Sequence, residues 1–193
     1  MLKKLRVGIA GFGVVGRRRK QYLDAHPNAE VIALYDIGFE SKDKLVEGAK
    51  AFNSYNGLIG EDLDALFVCT PNNIAPEITI KALCSGFHVF CEKPPGRSVE
   101  DMHRILATEK QNPSLKLMYG FNHRYHDSVQ DALEIVKSGE LGSVINIRAL
   151  YGKAKLITFN QPNWRTKREI AGGGVLLDQG IHIVDLMRLF GGE

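Results

Sequence analysis

The sequence predicts an α/β protein, with a doubly wound parallel sheet over residues 1–120 and an incomplete α/β (α+β) domain over residues 121–193. Two observations predict the first domain. Short apolar runs rich in β-branched residues alternate with longer segments of helical period, and a glycine-rich loop directly follows the first run. After Gly120 this alternation ends, and one helix, one strand and a second helix cannot close a core by themselves.

The elements of the first domain follow from the change of period along the chain. Strands are predicted at residues 5–10, 30–35, 52–55 (weak), 65–69, 88–91 and 116–119, with helices at 14–25, 41–51, 75–85 and 99–111. In the second domain we predict a helix at 126–137, a strand at 143–151, an irregular stretch at 152–172 and an apolar helix from Gly172 onward. Ligands of doubly wound sheets bind at the carboxyl ends of the strands, so we expect the site there.

Composition argues against exported, membrane-bound and nucleic-acid-binding classes of protein. The chain has 193 residues, 44% of them hydrophobic, and a net charge of +3. Its three cysteines form no C-x-x-C pair, no secretory leader is evident and no apolar stretch approaches 18 residues. We therefore expect a cytoplasmic protein that binds neither membrane nor nucleic acid. The basic run Arg17–Lys20 fits either a solvated helix face or a bound phosphate.

The loop after the first strand has the spacing of a dinucleotide-binding fingerprint. One glycine would make the tight turn, the second would let a pyrophosphate approach, and the third would allow helix–strand packing. Its residues are Gly11, Phe12, Gly13, Val14, Val15 and Gly16. Asp36 follows the second strand, where an acid can accept hydrogen bonds from a ribose and would repel a 2′-phosphate. This favours NAD over NADP in a Rossmann domain.

Two more loops follow strands at the same predicted edge. Both lie where the nicotinamide half of the cofactor is expected. The cofactor-binding residues predicted in these loops are Thr70, Pro71, Asn72, Glu92, Lys93 and Pro94. Lys93 lies between an acid and two prolines, which indicates a lysine held in place, either for function or in a structural pair with Glu92. An X-Pro bond in this loop could be cis. Cys69 and Cys91 are interpreted as core residues.

The final helix carries Asp178, His182 and Asp185 on one stripe, because residues four apart stack in a helix. A plain Asp178–His182 hydrogen bond and an Asp185–Arg188 pair are the structural alternatives. Zinc is a poorer interpretation since H-E-x-x-H is absent, and we expect no metal.

Five motifs in this order resemble the glucose–fructose oxidoreductase/inositol dehydrogenase (Gfo/Idh/MocA) family. They are the loop 11–16, Thr70-Pro71-Asn72, Glu92-Lys93-Pro94, residues 120–125 and the Gly-Gly-Gly-x-x-x-Asp-x-Gly-x-His-x-x-Asp series that ends at Asp185. The resemblance implies an NAD(P)-binding Rossmann domain, then the N-terminal part of a substrate domain whose remaining strands would be absent. It also implies a homo-oligomer, a small-molecule sugar, polyol or nucleotide-sugar substrate, and Lys93, Asp178 and His182 as catalytic groups. Ile74 stands near where members often carry a histidine.

The resemblance and the residues together predict an oxidoreductase that moves a hydride between NAD(P) and a secondary hydroxyl. His182 would take the hydroxyl proton, Lys93 would stabilise oxyanion charge and Asp178 would orient its neighbours. Candidate substrate contacts are Asn122, Arg124, Trp164 and Arg165, with His123 beside them. A redox-neutral NAD-dependent hydrolase or eliminase of the same family, and a non-catalytic NAD-binding sensor or scaffold, are the alternatives.

Overall fold

The computed structural model describes residues 3–40, 44–152 and 163–192. The chain divides into two compact units, Met1–Gly120 and Phe121–Glu193. The first unit is a seven-stranded sheet flanked by helices, and the second is largely helical in its described residues.

The first unit is a doubly wound sheet in the order β3-β4-β2-β1-β5-β6-β7. Its strands are β1 (Leu5–Ala10), β2 (Ala29–Tyr35), β3 (Leu45–Val46), β4 (Ala49–Phe52), β5 (Ala65–Val68), β6 (His88–Cys91) and β7 (Leu117–Tyr119). All neighbouring strands are parallel except β3, which runs antiparallel to β4. The parallel strands therefore end at one edge, where the loops after β1, β2, β5 and β6 meet.

Four helices accompany the sheet: α1 (Val14–Asp24), α2 (Tyr55–Ile59), α3 (Ala75–Cys84) and α4 (Val99–Gln111). The core between the sheet and α3 includes Leu66, Val68, Ile78 and Leu83, each at most 1% exposed. A second cluster around Ile9 and Leu34 fills the other face. Burial on both faces explains why these strands read as continuous apolar runs.

The helix predicted at residues 41–51 is wrong where the structure describes it. Residues 45–52 form a β-hairpin whose turn, Glu47 and Gly48, has φ angles of 47° and 85°. Burial alternates along β4, with Ala49 and Ala51 inside and Lys50 outside, which is the period of a strand. Residues 41–43 of the predicted helix lie outside the described residues. The weak strand predicted at 52–55 is displaced to Ala49–Phe52, and Tyr55 begins α2.

The second unit begins with a 3-10 turn, Asn122–Tyr125, and α5 (Asp127–Ser138), which ends at Gly139 with φ 76°. After a 3-10 turn at Trp164–Thr166 come α6 (Arg168–Ala171), a π-helical turn at Leu176–Gly180 and α7 (Ile181–Gly191). The predicted irregular stretch 152–172 is thus partly helical where it is described, and residues 153–162 lie outside the description.

The strand predicted at residues 143–151 is wrong, because those residues carry no regular secondary structure. A strand needs a partner for its backbone groups, and the described part of the second unit offers none. Its apolar side chains are instead solvent-facing, with Ile145 and Leu150 both 97% exposed.

One helical stretch among the described residues, Arg168–Gly191, is long and apolar enough to span a membrane by length and composition, with a mean hydropathy of 1.2. It is weak evidence for a membrane span, because a core helix of a soluble protein passes the same test.

Candidate functional site

The three glycines of the loop after β1 have different physical reasons to be glycine. Gly11 has φ +90°, and a Cβ there would lie 2.6 Å from the carbonyl oxygen of Cys69. A Cβ at Gly16 would lie 2.0 Å from the carbonyl oxygen of Gly11, so only glycine lets α1 pack against the loop. A Cβ at Gly13 would meet no described atom within 4 Å. Gly13 therefore leaves an open surface at the start of α1.

The start of α1 is suited to an anion. Gly13 is its N-cap and offers no side-chain hydrogen bond, and the first turn carries no acidic residue. The amide groups of a first helical turn have no partner within the helix and attract negative charge. The open surface at Gly13 and these amides together fit the pyrophosphate of a dinucleotide.

Asp36 is fixed beside this loop by backbone donors. Its Oδ2 accepts from the Phe12 amide at 2.7 Å and its Oδ1 accepts from the Gly38 amide at 2.9 Å. The Gly11 amide donates to Tyr35 at 2.7 Å, so the ends of β1 and β2 are bonded to each other. A carboxylate oriented in this way keeps lone pairs available for ribose hydroxyls.

Three of the four cations in the basic run on α1 pair with carboxylates. The Arg17 guanidinium lies 3.0 Å from Glu47 and over the Phe12 ring at 4.6 Å. Lys20 is buried and lies 2.6 Å from Asp24. Arg19 pairs with Glu92 at 2.6 Å. The sequence could not supply these partners, because two of the three are distant in the chain.

The loops after β5 and β6 lie at the same edge of the sheet, since β1 pairs with β5 and β5 with β6. Asn72 is buried, and Thr70 and Pro71 are half-buried. The Glu92 amide donates to Val68 at 2.9 Å, and the Lys93–Pro94 bond is cis. The first unit thus gathers the predicted cofactor-binding side chains along one edge.

Cys69 and Cys91 have the environment of core residues. Burial raises the pKa of the Cys91 thiol to about 12 and raises that of Cys69 well above its ordinary range. The Glu92 carboxylate adds to the rise at both thiols. A thiol that stays protonated near neutral pH is a poor nucleophile, in agreement with the sequence interpretation.

In the second unit, His182 lies within a cluster of rings. The residue is 5% exposed, and its ring stacks on His123 with centroids 4.1 Å apart and planes at 14°. Phe121 meets His182 edge-on at 6.2 Å, and Tyr151 stacks on His123 at 5.5 Å. The sequence indicated His182 but not the rings that fix its plane, since stacking between distant residues leaves no local pattern.

Asp178 lies in the π-helical turn that precedes α7. Its Oδ2 accepts from Gln179 at 2.6 Å, and its Oδ1 lies 3.9 Å from the Arg165 guanidinium. That guanidinium also lies over the Trp164 ring at 4.4 Å. Single π-helical turns are rare and occur often at functional sites. The structure thus brings Arg165 and Trp164, two predicted substrate contacts, to the predicted catalytic Asp178.

Asp185 pairs with Arg124. Nε and Nη2 of Arg124 lie 2.7 and 2.6 Å from the two carboxylate oxygens, and the Asp185 side chain is only 10% exposed. This two-point pair raises the pKa of the Arg124 guanidinium. The sequence suggested Arg188, three residues along the helix, as a partner of Asp185, and the structure adds Arg124, a long-range partner that the sequence did not indicate. Asn122, in the same 3-10 turn as Arg124, is exposed.

We expect Asp185→Asn to destabilise the second unit by about 1–3 kcal/mol, because it leaves Arg124 with a neutral partner at a mostly buried position. Thermal unfolding of the 193-residue chain measures this loss. Asp178→Asn, on the preceding turn of the same helical segment, is the control, and its half-buried carboxylate should cost less. Equal stability of Asp185→Asn and the parent chain would contradict a structural role for the pair.

Lys93 belongs to the first unit, whereas Asp178 and His182 belong to the second. Their convergence on one substrate stays a prediction. Each unit by itself holds its part of the candidate set in a defined environment.

Comparison with protein-family models decides the family. Residues 5–121 match the oxidoreductase family with an NAD-binding Rossmann fold, Gfo/Idh/MocA, and residues 129–193 match the C-terminal domain of the same family. The chain belongs to the Gfo/Idh/MocA family. The recognition from its motifs and the doubly wound fold are confirmed.

Several curated Gfo/Idh/MocA relatives are dehydrogenases by name. The chain is 30% identical over 185 residues to glucose-6-phosphate 3-dehydrogenase of Bacillus subtilis, with 94% of this chain and 52% of the relative covered. It is 27% identical to inositol 2-dehydrogenase of Salmonella typhimurium, covering 95% of this chain and 53% of that one. The chain therefore spans about half the length of the curated relatives it matches.

Solved structures of the family have the same fold. Myo-inositol 2-dehydrogenase from Lactobacillus plantarum superposes with a TM-score of 0.78 at 27% identity, over 98% of this chain and 57% of that chain. Levoglucosan dehydrogenase in complex with NADH gives a TM-score of 0.83 at 24% identity, over 99% and 55% of the two chains. The family description gives the first unit as an NAD-binding Rossmann domain, and these two structures share the fold.

Proposed function

We propose that the whole protein is an NAD-dependent dehydrogenase that moves a hydride between nicotinamide and a secondary hydroxyl of a sugar, polyol or nucleotide-sugar. The observation that carries this proposal is the buried His182, oriented by its ring cluster and placed four residues after Asp178. Family membership and the Glu92-Lys93-Pro94 loop support it from the first unit.

Oxidation of a secondary hydroxyl removes a hydride from carbon and a proton from oxygen. Bound NAD would accept or return the hydride, held by the glycine loop, Asp36 and the strand-end loops. The His182 imidazole would take the hydroxyl proton, because an imidazole can exchange protons near neutral pH. The Lys93 ammonium would stabilise the developing oxyanion charge. Asp178 would orient the neighbouring groups.

Three relatives suggest the substrate class by their names: glucose-6-phosphate 3-dehydrogenase, inositol 2-dehydrogenase and levoglucosan dehydrogenase. We infer that this protein acts on a cyclic sugar or polyol. The Arg165 guanidinium lies over one face of the Trp164 ring. The other face of that ring would stack on a sugar, and Arg165 would supply a cation for an anionic substituent. We also propose that the protein is cytoplasmic, as its cysteine pattern indicates, and that it forms a homo-oligomer, as the family resemblance implies.

The experiment is a panel of substrates with the whole protein and NAD. Myo-inositol, glucose 6-phosphate, levoglucosan and nucleotide-sugars are each supplied, and NADH formation and substrate loss are both followed. NADH formed in proportion to substrate consumed supports the dehydrogenase. Consumption without NADH accumulation would indicate the redox-neutral alternative, and binding of NAD with no consumption of any panel member would favour a non-catalytic sensor.

Asp36 should set the preference for NAD over NADP. We expect Asp36→Asn to weaken NADH binding by roughly tenfold, because an amide can accept only one of the two backbone hydrogen bonds that Asp36 now accepts. NADPH binding should weaken less or improve, since the charge that repels a 2′-phosphate is gone. Titration of the 193-residue chain with both nucleotides measures the ratio.

The control for this titration is Asp62→Asn. Asp62 is an aspartate of the same unit that pairs with Arg6 and is 84% exposed, and it precedes β5 at the opposite edge of the sheet. An unchanged ratio of NADH to NADPH affinity in Asp36→Asn would show that Asp36 does not select the nucleotide.

A further inference from the structure

The Arg19–Glu92 pair links two functional loops of the first unit. Arg19 lies on α1, one turn after the glycine loop ends, and Glu92 immediately precedes Lys93. Nη2 and Nε of Arg19 lie 2.6 and 2.7 Å from Oε1 of Glu92. The two side chains are only 26% and 19% exposed, so water screens this pair less than a surface pair.

The guanidinium of Arg19 is also fixed by aromatic rings. It lies 4.8 Å from the centroid of the Phe90 ring, and Phe90 stacks on Phe67 at 4.9 Å. Phe90 and Phe67 belong to the neighbouring strands β6 and β5. The charge that Glu92 contacts is therefore anchored to the sheet as well as to α1.

Glu92 has little freedom to move. A Cβ added at Gly120 would lie 2.7 Å from Oε2 of Glu92, so the carboxylate fills the space that a side chain at residue 120 would need. The Glu92 amide donates to Val68 at 2.9 Å. Both ends of Glu92 are thus held, by β5 at the backbone and by Arg19 at the carboxylate.

We infer that Arg19 is a positioning residue for Lys93. By holding the Glu92 carboxylate, Arg19 fixes the backbone from which Lys93 extends, and it ties this loop to the helix that follows the dinucleotide loop. The inference rests on the proposed function of Lys93. Its physical basis is that small displacements of a catalytic group reduce rate strongly, up to about 100-fold for ~1 Å.

The first test is local and does not depend on turnover. In Arg19→Gln, amide hydrogen exchange of the 193-residue chain, measured by mass spectrometry, should increase in the segment 92–97 and remain unchanged in β1 and β2. Unchanged exchange in the segment 92–97 would overturn the inference.

The second test is kinetic and uses the whole protein with the panel substrate that gives the highest turnover. Arg19→Gln should lower kcat by roughly ten- to 100-fold while the Kd for NADH changes less than about threefold. Arg19→Lys should recover part of the loss, because lysine keeps the charge but not the two-point geometry of arginine. A general loss of stability would lower the melting temperature without this split between kcat and Kd.

The matched control is Glu47→Gln. It removes the carboxylate partner of Arg17, which also lies on α1 and over an aromatic ring, but at the β3–β4 turn rather than at the Lys93 loop. Its kcat should stay within about twofold of the parent, as expected for an exposed pair of small energetic weight. A loss of kcat in Glu47→Gln as large as that in Arg19→Gln would overturn the inference.

Two further variants separate this inference from the proposed function. If Lys93→Met retains full turnover, the proposed role of Lys93 is wrong. If Lys93→Met is inactive and Arg19→Gln keeps its kcat, only the positioning role is wrong. Should Arg19→Gln fail to fold, the isosteric Glu92→Gln removes the same pair from the other side and is expected to give the same exchange increase and loss of kcat, whereas parent-like values would overturn the inference.

Discussion

Gly16→Ala should abolish dinucleotide binding and destabilise the first unit by about 3 kcal/mol or more. The added methyl group would lie 2.0 Å from the carbonyl oxygen of Gly11 and 3.5 Å from the Ile9 side chain. A backbone carbonyl cannot rotate away as a flexible side chain can, so α1 would have to move off β1. Calorimetric titration with NADH and thermal unfolding of the 193-residue chain measure the two effects.

Gly13→Ala is the matched comparison in the same loop. Its methyl group would meet no described atom within 4 Å, so the melting temperature should remain within a few degrees of the parent. NADH binding should still weaken strongly, because the methyl group would occupy the surface where the pyrophosphate approaches. Normal NADH affinity in Gly13→Ala would contradict our placement of the dinucleotide, and a stable, NADH-binding Gly16→Ala would contradict the packing role of Gly16.

Lys93→Met should lower turnover of the whole protein by about 100- to 1000-fold, the effect typical of removing one group that stabilises an oxyanion. Methionine retains the length and apolar stem of lysine but carries no charge, so the loop 92–96 should keep its conformation. The NADH Kd should change by less than about threefold. Steady-state kinetics and calorimetric titration measure both quantities.

The control is Lys50→Met. Lys50 lies on β4 and pairs with Glu61 at 2.8 Å, and it is outside every predicted functional loop. Its turnover should equal that of the parent within about twofold. If Lys93→Met turned over as fast as Lys50→Met, Lys93 would not be a catalytic residue.

The sequence predicted correctly those helices, strands and loops whose structure depends on residues close together in the chain. Helix α4 has the predicted bounds, because Ser98 caps its first turn and acidic residues follow at once. The strands β1 and β6 are also exact, because buried parallel strands are short apolar runs with sharp ends. The glycine loop 11–16 was predictable because each of its glycines meets one steric requirement.

The elements that depend on distant partners were not predictable. The segment 45–52 has alanine and lysine residues that suit a helix, and only its pairing with β2 reveals a strand. Residues 143–151 alternate as a strand does, yet they have no strand partner among the described residues. The pairs Arg19–Glu92 and Arg124–Asp185 join residues more than sixty positions apart, with sequence separations of 73 and 61. No sequence period encodes such contacts.

We propose that Lys93, Asp178 and His182 serve a hydride transfer between a secondary hydroxyl and NAD. The most direct measurement uses the whole protein with NAD and myo-inositol, glucose 6-phosphate or levoglucosan carrying deuterium at the carbinol carbons, and follows the isotope by mass spectrometry of the nucleotide. We predict that a substrate of this panel delivers one deuterium to the nicotinamide ring, and that Lys93→Met suppresses this transfer while NAD still binds. Substrate conversion with all deuterium released to solvent, or undiminished transfer in Lys93→Met, would contradict the claim.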